Sequence, residues 1–255
     1  MAEVSVIIPV HNAGRFIEDT VRSVMAETYE DWEILLVEDH STDNSVKCIN
    51  YIIEEFQEKG LGNKIRLLIT GEKKGAAAAR NVGIEAASGR FITFLDADDL
   101  WEPPKLKMQL NFMHKTNAAF SFTGYEFADE TGVGIDKIVK VPLKMNYEDA
   151  LKNTTIFTST VMFDMTKIDK ETIMMPDVPS EDTATWWKVL KEGYTAYGLN
   201  RPLTLYRRSS GTLSSNKNEA IKRIWNLYRN VEGMGILKSA WCFSFYALHA
   251  VWRRL

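Results

Sequence analysis

Three observations in this 255-residue sequence predict an α/β domain built on a mostly parallel sheet. Short runs rich in β-branched residues alternate with segments of helical periodicity through the first hundred residues. Unusual polar residues gather just after the first, second and fourth of these runs. Beyond residue 101 the pattern becomes strand-rich, with no Gly/Ser/Pro linker at the change. Alternating strands and helices imply parallel strands covered on both faces. The strand-rich continuation implies a mixed sheet built onto one edge of the same domain.

In chain order, Val4–Ile8 is a buried-type apolar run. Arg15–Glu27 is helical, with Phe16, Ile17, Val21, Val24 and Met25 near one face. Trp32–Val37 is a second strand. Asp43–Lys59 is helical through Val46, Ile49, Ile53 and Phe56. Ile65–Ile69 is a third strand, Ala76–Ala87 an alanine-rich helix and Phe91–Leu95 a fourth strand. Pro103–His114 reads as a helix with prolines near its start. Ala118–Phe127, Ile135–Val141 and Thr155–Phe163 read as strands. Ser180–Lys191 is a helix, and Tyr194–Gly198 and Leu203–Tyr206 are short strands. Asn216–Val231 and Ile236–Leu255 close the chain as helices.

Composition narrows the function classes. Hydrophobic residues make up 45% of the chain, enough for a real core. A formal charge of −3 argues against a nucleic-acid partner, which selects a basic surface. Cys48 and Cys242 match no metal spacing and read as packing residues in a reducing compartment. The amino-terminal apolar run is too short for a signal peptide. No stretch reaches the roughly 18 apolar residues of a spanning helix. A cytoplasmic chain is expected.

The chemistry concentrates at Asp96-Ala97-Asp98-Asp99, after the fourth strand. Carboxylates this close repel one another unless a cation sits among them. Mg²⁺ or Mn²⁺ takes one or two carboxylates plus substrate phosphates, so this strand end suits a metal bridging to a diphosphate. A solvated turn whose aspartates cap the next helix accounts for the same residues. In parallel sheets ligands bind beyond the carboxyl ends of the strands, where His11-Asn12 and Glu38-Asp39-His40 also fall.

The cluster has company in the expected order. Val4–Asn12 resembles the opening of family 2 glycosyltransferases. Glu38-Asp39-His40-Ser41-Thr42-Asp43 is similar to their Asp-Asp-Gly-Ser-Thr-Asp loop, Ala79-Arg80-Asn81 to their Ala-Arg-Asn segment, and Asp96-Ala97-Asp98 to their Asp-x-Asp motif. Ser180-Glu181-Asp182 resembles the acidic pair that carries their catalytic base. Tyr206–Ser215 resembles a late Tyr-Arg…Ser-Leu-Ser stretch. Position 11 is His where Tyr is more usual, position 38 is Glu where Asp is frequent, and position 40 is His where Gly is common. The resemblance runs closest to bacterial enzymes of teichuronic acid, capsule and O-antigen synthesis.

This resemblance implies a GT-A (Rossmann-like) fold over residues 1–218, divided into a nucleotide-binding half (1–100) and an acceptor half (101–218). Helices over 219–255 form a carboxyl-terminal extension. It implies an inverting transfer from a nucleoside-diphosphate sugar, with UDP the expected carrier, to an acceptor hydroxyl on a glycan or lipid-linked acceptor. Pro9, His11 and Asp39 would surround the base and ribose, Arg80 the base or diphosphate, and Asp96 the ribose or metal. Asp98 would hold Mn²⁺ or Mg²⁺, and Asp182 would act as base. Glu181 and Trp186 would border the acceptor. Arg207 and Lys217 would add charge to a closing loop at the leaving group.

Without the resemblance, Glu181 and Asp182 read as first-turn acids favoured by the helix dipole, with Ser180 as N-cap and Trp186 as core. A nucleotidyltransferase would show a Gly-rich basic loop after the first strand, whereas Gly14 and Arg15 stand alone. A non-catalytic sugar-nucleotide-binding or scaffold protein is the other alternative, and the presence of both Asp98 and Asp182 weighs against it. On the last helix Lys238, Cys242, His249 and Arg253 share one stripe and the rest is largely apolar. That pattern fits a helix lying on the cytoplasmic face of a membrane, or one packed on the body or on a second subunit.

Overall fold

The structure, a computed structural model, describes residues 2–208 and 217–252, with side chains in the second stretch from 219 to 250. Strands β1 (Val4–Val10), β2 (Trp32–Glu38), β3 (Ile65–Ile69) and β4 (Phe91–Phe94) are parallel in the order β3-β2-β1-β4. Helices α1 (Ile17–Met25), α2 (Ser45–Glu58) and α3 (Ala76–Ala86) connect them. Then come β5 (Leu100–Trp101), α4 (Lys105–Thr116), β6 (Phe120–Ala128), β7 (Gly134–Val139), β8 (Lys144–Met145), α5 (Tyr147–Ala150) and β9 (Met162–Asp164). Helices α6 (Lys170–Ile173) and α7 (Glu181–Lys191), strand β10 (Ala196–Arg207), and helices α8 (Lys217–Asn226) and α9 (Ile236–Trp252) complete the chain.

One sheet runs through both halves. Strand β9 pairs antiparallel with β4 and with β6, so the sheet becomes mixed at that seam. Period-two alternation sorts the strand residues onto its two faces. Ile7, Leu35, Val37, Ile92 and Phe94 join α3 and α7 on one face. Val6, Ile8, Ile34, Leu36 and Leu95 join α1, α2 and α4 on the other. Helix α3 lies unusually close to β1. A Cβ at Gly83 would come within 2.4 Å of Ile7 Cγ2, so only glycine permits this approach, three residues along from Arg80.

Several expected elements change. Thr155–Phe163 is not one strand: a 3₁₀ turn over Thr158–Thr160 precedes the short β9. The Thr160 hydroxyl bonds the Phe157 carbonyl and fixes that turn. The two strands expected at 194–198 and 203–206 are one strand, β10, with register shifts around Pro202, which has no N–H for the ladder. The helix expected over 216–231 ends at Asn226 and continues as a π-type turn over Leu227–Val231.

Candidate active site

The strand order reverses between β1 and β4, with β2 and β3 on one side of β1 and the rest of the sheet on the other. Ligands bind at such a switch point. A cavity of about 720 Å³ opens there, beyond the carboxyl ends of β1, β2 and β4. Pro9, His11, Asp39, Arg80, Asp96, Asp98, Glu181 and Asp182 all line it. It also takes in Tyr206, which opens the late Tyr-Arg stretch, and Phe16, Phe157, Thr158 and Arg223, which the motifs do not mark.

The end near β1 and β2 is assembled by hydrogen bonds within the protein. Asp39 is buried, and its carboxylate accepts from the Thr70 hydroxyl at 2.8 Å and the Gly75 N–H at 2.7 Å. The His11 ring lies alongside, its Nδ1 2.6 Å from the Asp39 carbonyl oxygen. A carbonyl only accepts, so Nδ1 carries the proton and Nε2 faces the Asn12 amide at 3.1 Å. The Asn12 side-chain oxygen accepts from the Thr42 N–H at 2.8 Å and ties the first loop to the second. Asn12 and His40 both sit in the left-handed region, with φ of 51° and 54°. That backbone explains why glycine suits position 40, and the His40 ring offsets some of the strain by bonding the Gly71 carbonyl oxygen at 3.1 Å.

The three aspartates after β4 have three different situations. Asp96 accepts from Arg80 Nη2 at 2.6 Å. Asp99 is fully buried, accepting from the Ser159 hydroxyl at 2.6 Å and the Arg207 N–H at 3.2 Å. Its burial and the nearby charges of Asp98 and Asp96 push its pKa well above the usual carboxylate range. Asp98 faces the cavity, and burial together with Asp96 raises its pKa to about 6. A divalent cation would reverse that shift, and oxygen donors of this kind suit Mg²⁺ or Mn²⁺. Among the described residues no three His, Cys, Asp or Glu side chains converge as a complete cage.

The Ala79-Arg80-Asn81 segment does more than border the cavity. The Asn81 amide donates to the Met175 carbonyl and accepts from the Met175 N–H, each at 2.8 Å. Arg80 bridges Asp96 and Glu181, its second arm 2.7 Å from Glu181 Oε1. Burial alone would depress the Arg80 pKa, but Asp96 and Glu181 outweigh it and keep the guanidinium charged. The segment thereby docks α7 against the end of β4 and brings Asp182 to the cavity. Asp182 accepts from the Thr158 hydroxyl at 3.0 Å.

Three side chains depart from expectation. Ser180 does not cap α7 through its hydroxyl: its backbone is left-handed at φ 61° and its side chain makes no cap bond. Trp186 is no acceptor wall. It is 2% exposed and packs on Phe94, Phe120 and Phe163 on the α7 face of the sheet. Its helical spacing placed it one turn beyond Asp182, and that turn points into the core. Arg207 ends β10 instead of lying in a loop, buried over the Phe16 ring with Asp19 at 3.3 Å. The Lys217 side chain and residues 209–216 lie outside the described residues.

Comparison with known proteins agrees with this geometry. The family model described as "Glycosyl transferase family 2" matches residues 5–170. A Bacillus subtilis protein named for teichuronic acid biosynthesis, the glycosyltransferase TuaG, is 42% identical over 253 residues, covering 99% of this chain and 97% of that one. The Escherichia coli UDP-Glc:α-D-GlcNAc-diphosphoundecaprenol β-1,3-glucosyltransferase WfgD is 37% identical, covering 88% of this chain and 84% of that one. The fold is similar to that of the mannosyltransferase PcManGT from Pyrobaculum calidifontis, solved with GDP-Man and Mn²⁺. The TM-score is 0.67 at 18% identity, over 92% of this chain and 65% of that one. The chain thus has a GT-A fold, with this cavity at its strand switch, and belongs to glycosyl transferase family 2.

Proposed function

We propose that this enzyme moves a sugar from a UDP-sugar onto a hydroxyl of a lipid-linked glycan, with inversion, in the synthesis of a bacterial surface polysaccharide. The observation that carries the reading is that one cavity holds Asp39, Asp98 and Asp182 together. Asp39 and His11 receive the base and ribose. Asp182 takes the proton of the acceptor hydroxyl, a contribution typically worth about 10²–10⁴ in rate. Thr158 holds that carboxylate in place. Asp98, with Asp96 beside it, would hold Mn²⁺ or Mg²⁺. When bound, the metal stabilises negative charge on the departing diphosphate. The UDP and lipid-diphosphate assignments follow the substrates named for WfgD, and the metal follows the Mn²⁺ bound by PcManGT.

Helix α9 supports a working position at a membrane surface, though not through the expected stripe. Cys242 is buried and Lys238 pairs with Glu148 at 2.9 Å, so this part of the polar stripe is engaged with the body. Ile236, Leu237, Trp241 and Leu248 are exposed instead. Arg253 and Arg254 lie outside the described residues. Among the described residues no helix is long and apolar enough to cross a membrane. An apolar outer face of this kind suits the interfacial layer, where a lipid-linked acceptor resides.

The test is a screen of nucleotide sugars, with and without Mn²⁺, on the wild type, Asp98→Asn and Asp182→Asn. Transfer from a UDP-sugar that needs the metal and fails in both variants is expected. Transfer by both variants at the wild-type rate would overturn the assignment.

A further inference from the structure

The charges lining the cavity do not balance. Among the described residues of the lining, Asp39, Asp96, Asp98, Glu181 and Asp182 face two guanidiniums, Arg80 and Arg223. A diphosphate entering this field is repelled unless cations receive it. Arg80 is already committed, one arm on Asp96 and the other on Glu181. Arg207, expected at the leaving group, is buried over Phe16 and is not part of the lining.

Arg223 is different. It projects from α8, is half-buried, and forms no hydrogen bond or ion pair with another described residue. Its helix is held firmly: Ile224 is buried in the core, as are Leu227 and Tyr228 in the turn that follows. The other charged residues nearby on α8, Glu219 and Lys222, pair with each other at 3.0 Å. The packing therefore commits one planar, permanently charged fork to the cavity, its donors unused by any other described residue. A guanidinium in that state matches phosphate oxygens in a bidentate way.

We infer that Arg223 is a phosphate-binding residue of the cavity, a step that rests on the transferase reading above. The phosphate comes from either of two sources, the diphosphate of the donor or that of a lipid-linked acceptor.

The experiment compares the wild type with Arg223→Ala and Arg223→Lys in two arms. In the first, UDP and uridine are titrated by calorimetry in the presence of Mn²⁺. In the second, KM is measured for a GlcNAc-diphospholipid and for a phosphate-free GlcNAc alkyl glycoside. If the donor supplies the phosphate, Arg223→Ala weakens UDP about tenfold or more and leaves uridine unchanged. If the acceptor supplies it, UDP is unaffected and KM rises about tenfold for the diphospholipid alone. In either case Arg223→Lys recovers part of the loss, because charge remains without the fork. Changes below about twofold in every arm overturn the inference, as does an equal loss for ligands with and without phosphate. A wild type that transfers no sugar would instead overturn the transferase reading, and the UDP–uridine comparison would still report on Arg223.

Discussion

The two ends of the cavity are built in opposite ways. Near β1 and β2, Asp39, His11 and Asn12 have their polar atoms occupied by Thr70, Gly75 and the neighbouring loops. Near β4 and α7, carboxylates crowd together with one bridging guanidinium, and burial beside Asp96 raises the Asp98 pKa to about 6. The first end is held by hydrogen bonds within the protein, which suits the proposed recognition of a flat base by shape and a few fixed hydrogen bonds. The second keeps charge unbalanced among its described residues, and in the proposed reading a metal and a diphosphate would complete it. The difference teaches that preorganisation here means position at one end and electrostatic potential at the other.

The largest effect should come from breaking the bridge at the charged end. Arg80→Ala leaves Asp96 and Glu181 facing each other half-buried, and should cost about 3–5 kcal/mol of stability, measured by denaturant unfolding. A loss below about 1 kcal/mol would mean that the bridge is not what joins α7 to β4.

An ion pair outside the cavity supplies the reference. Asp164 on β9 accepts from Arg90 Nε at 3.0 Å and Nη2 at 2.8 Å, and also from Thr166. Burial raises its pKa, but these bonds outweigh that and bring it down to about 2. Because the folded-state pKa lies below the unfolded one, the stabilisation is present above pH 4 or so and fades as pH falls toward 2. Asp164→Ala should cost about 1.5–3 kcal/mol at neutral pH and progressively less in acid, seen in unfolding curves at several pH values. A constant penalty across that range would contradict it.

The smallest effect belongs to the end proposed to bind the base. Asp39→Asn keeps the shape but sets an amide against the Thr70 and Gly75 donors. UDP affinity should drop about tenfold, with turnover at saturating donor nearly unchanged. A large fall in turnover alone would erase the distinction between the two ends.

The sequence made the first four strands and the donor loops legible because buried parallel strands and their end loops leave local patterns. Ile65–Ile69 appears with the expected bounds, and Asp96, Asp98 and Asp39 arrive in one cavity. What stayed hidden was non-local. Strands β5 and β8 have two residues each, too short for any periodicity. The single β10 was split by Pro202, whose local signal outweighed the pairing with β6. Trp186 and Arg207 read as site residues from their neighbours in sequence, yet helix phase and strand direction turned both inward. Arg223 carried no motif, since its place depends on α8 packing back over residues far along the chain. The role of Arg80 as a bridge needed Glu181, a hundred and one residues away, to be visible.

In the proposed mechanism Asp182 does the chemistry while the rest of the cavity holds the donor. Measuring UDP binding with Mn²⁺ and sugar transfer side by side on Asp182→Asn tests it most directly. Wild-type affinity for UDP with turnover reduced by about 10²–10⁴ is expected. Turnover within about threefold of the wild type, or a loss of UDP affinity as large as the loss of turnover, would contradict it.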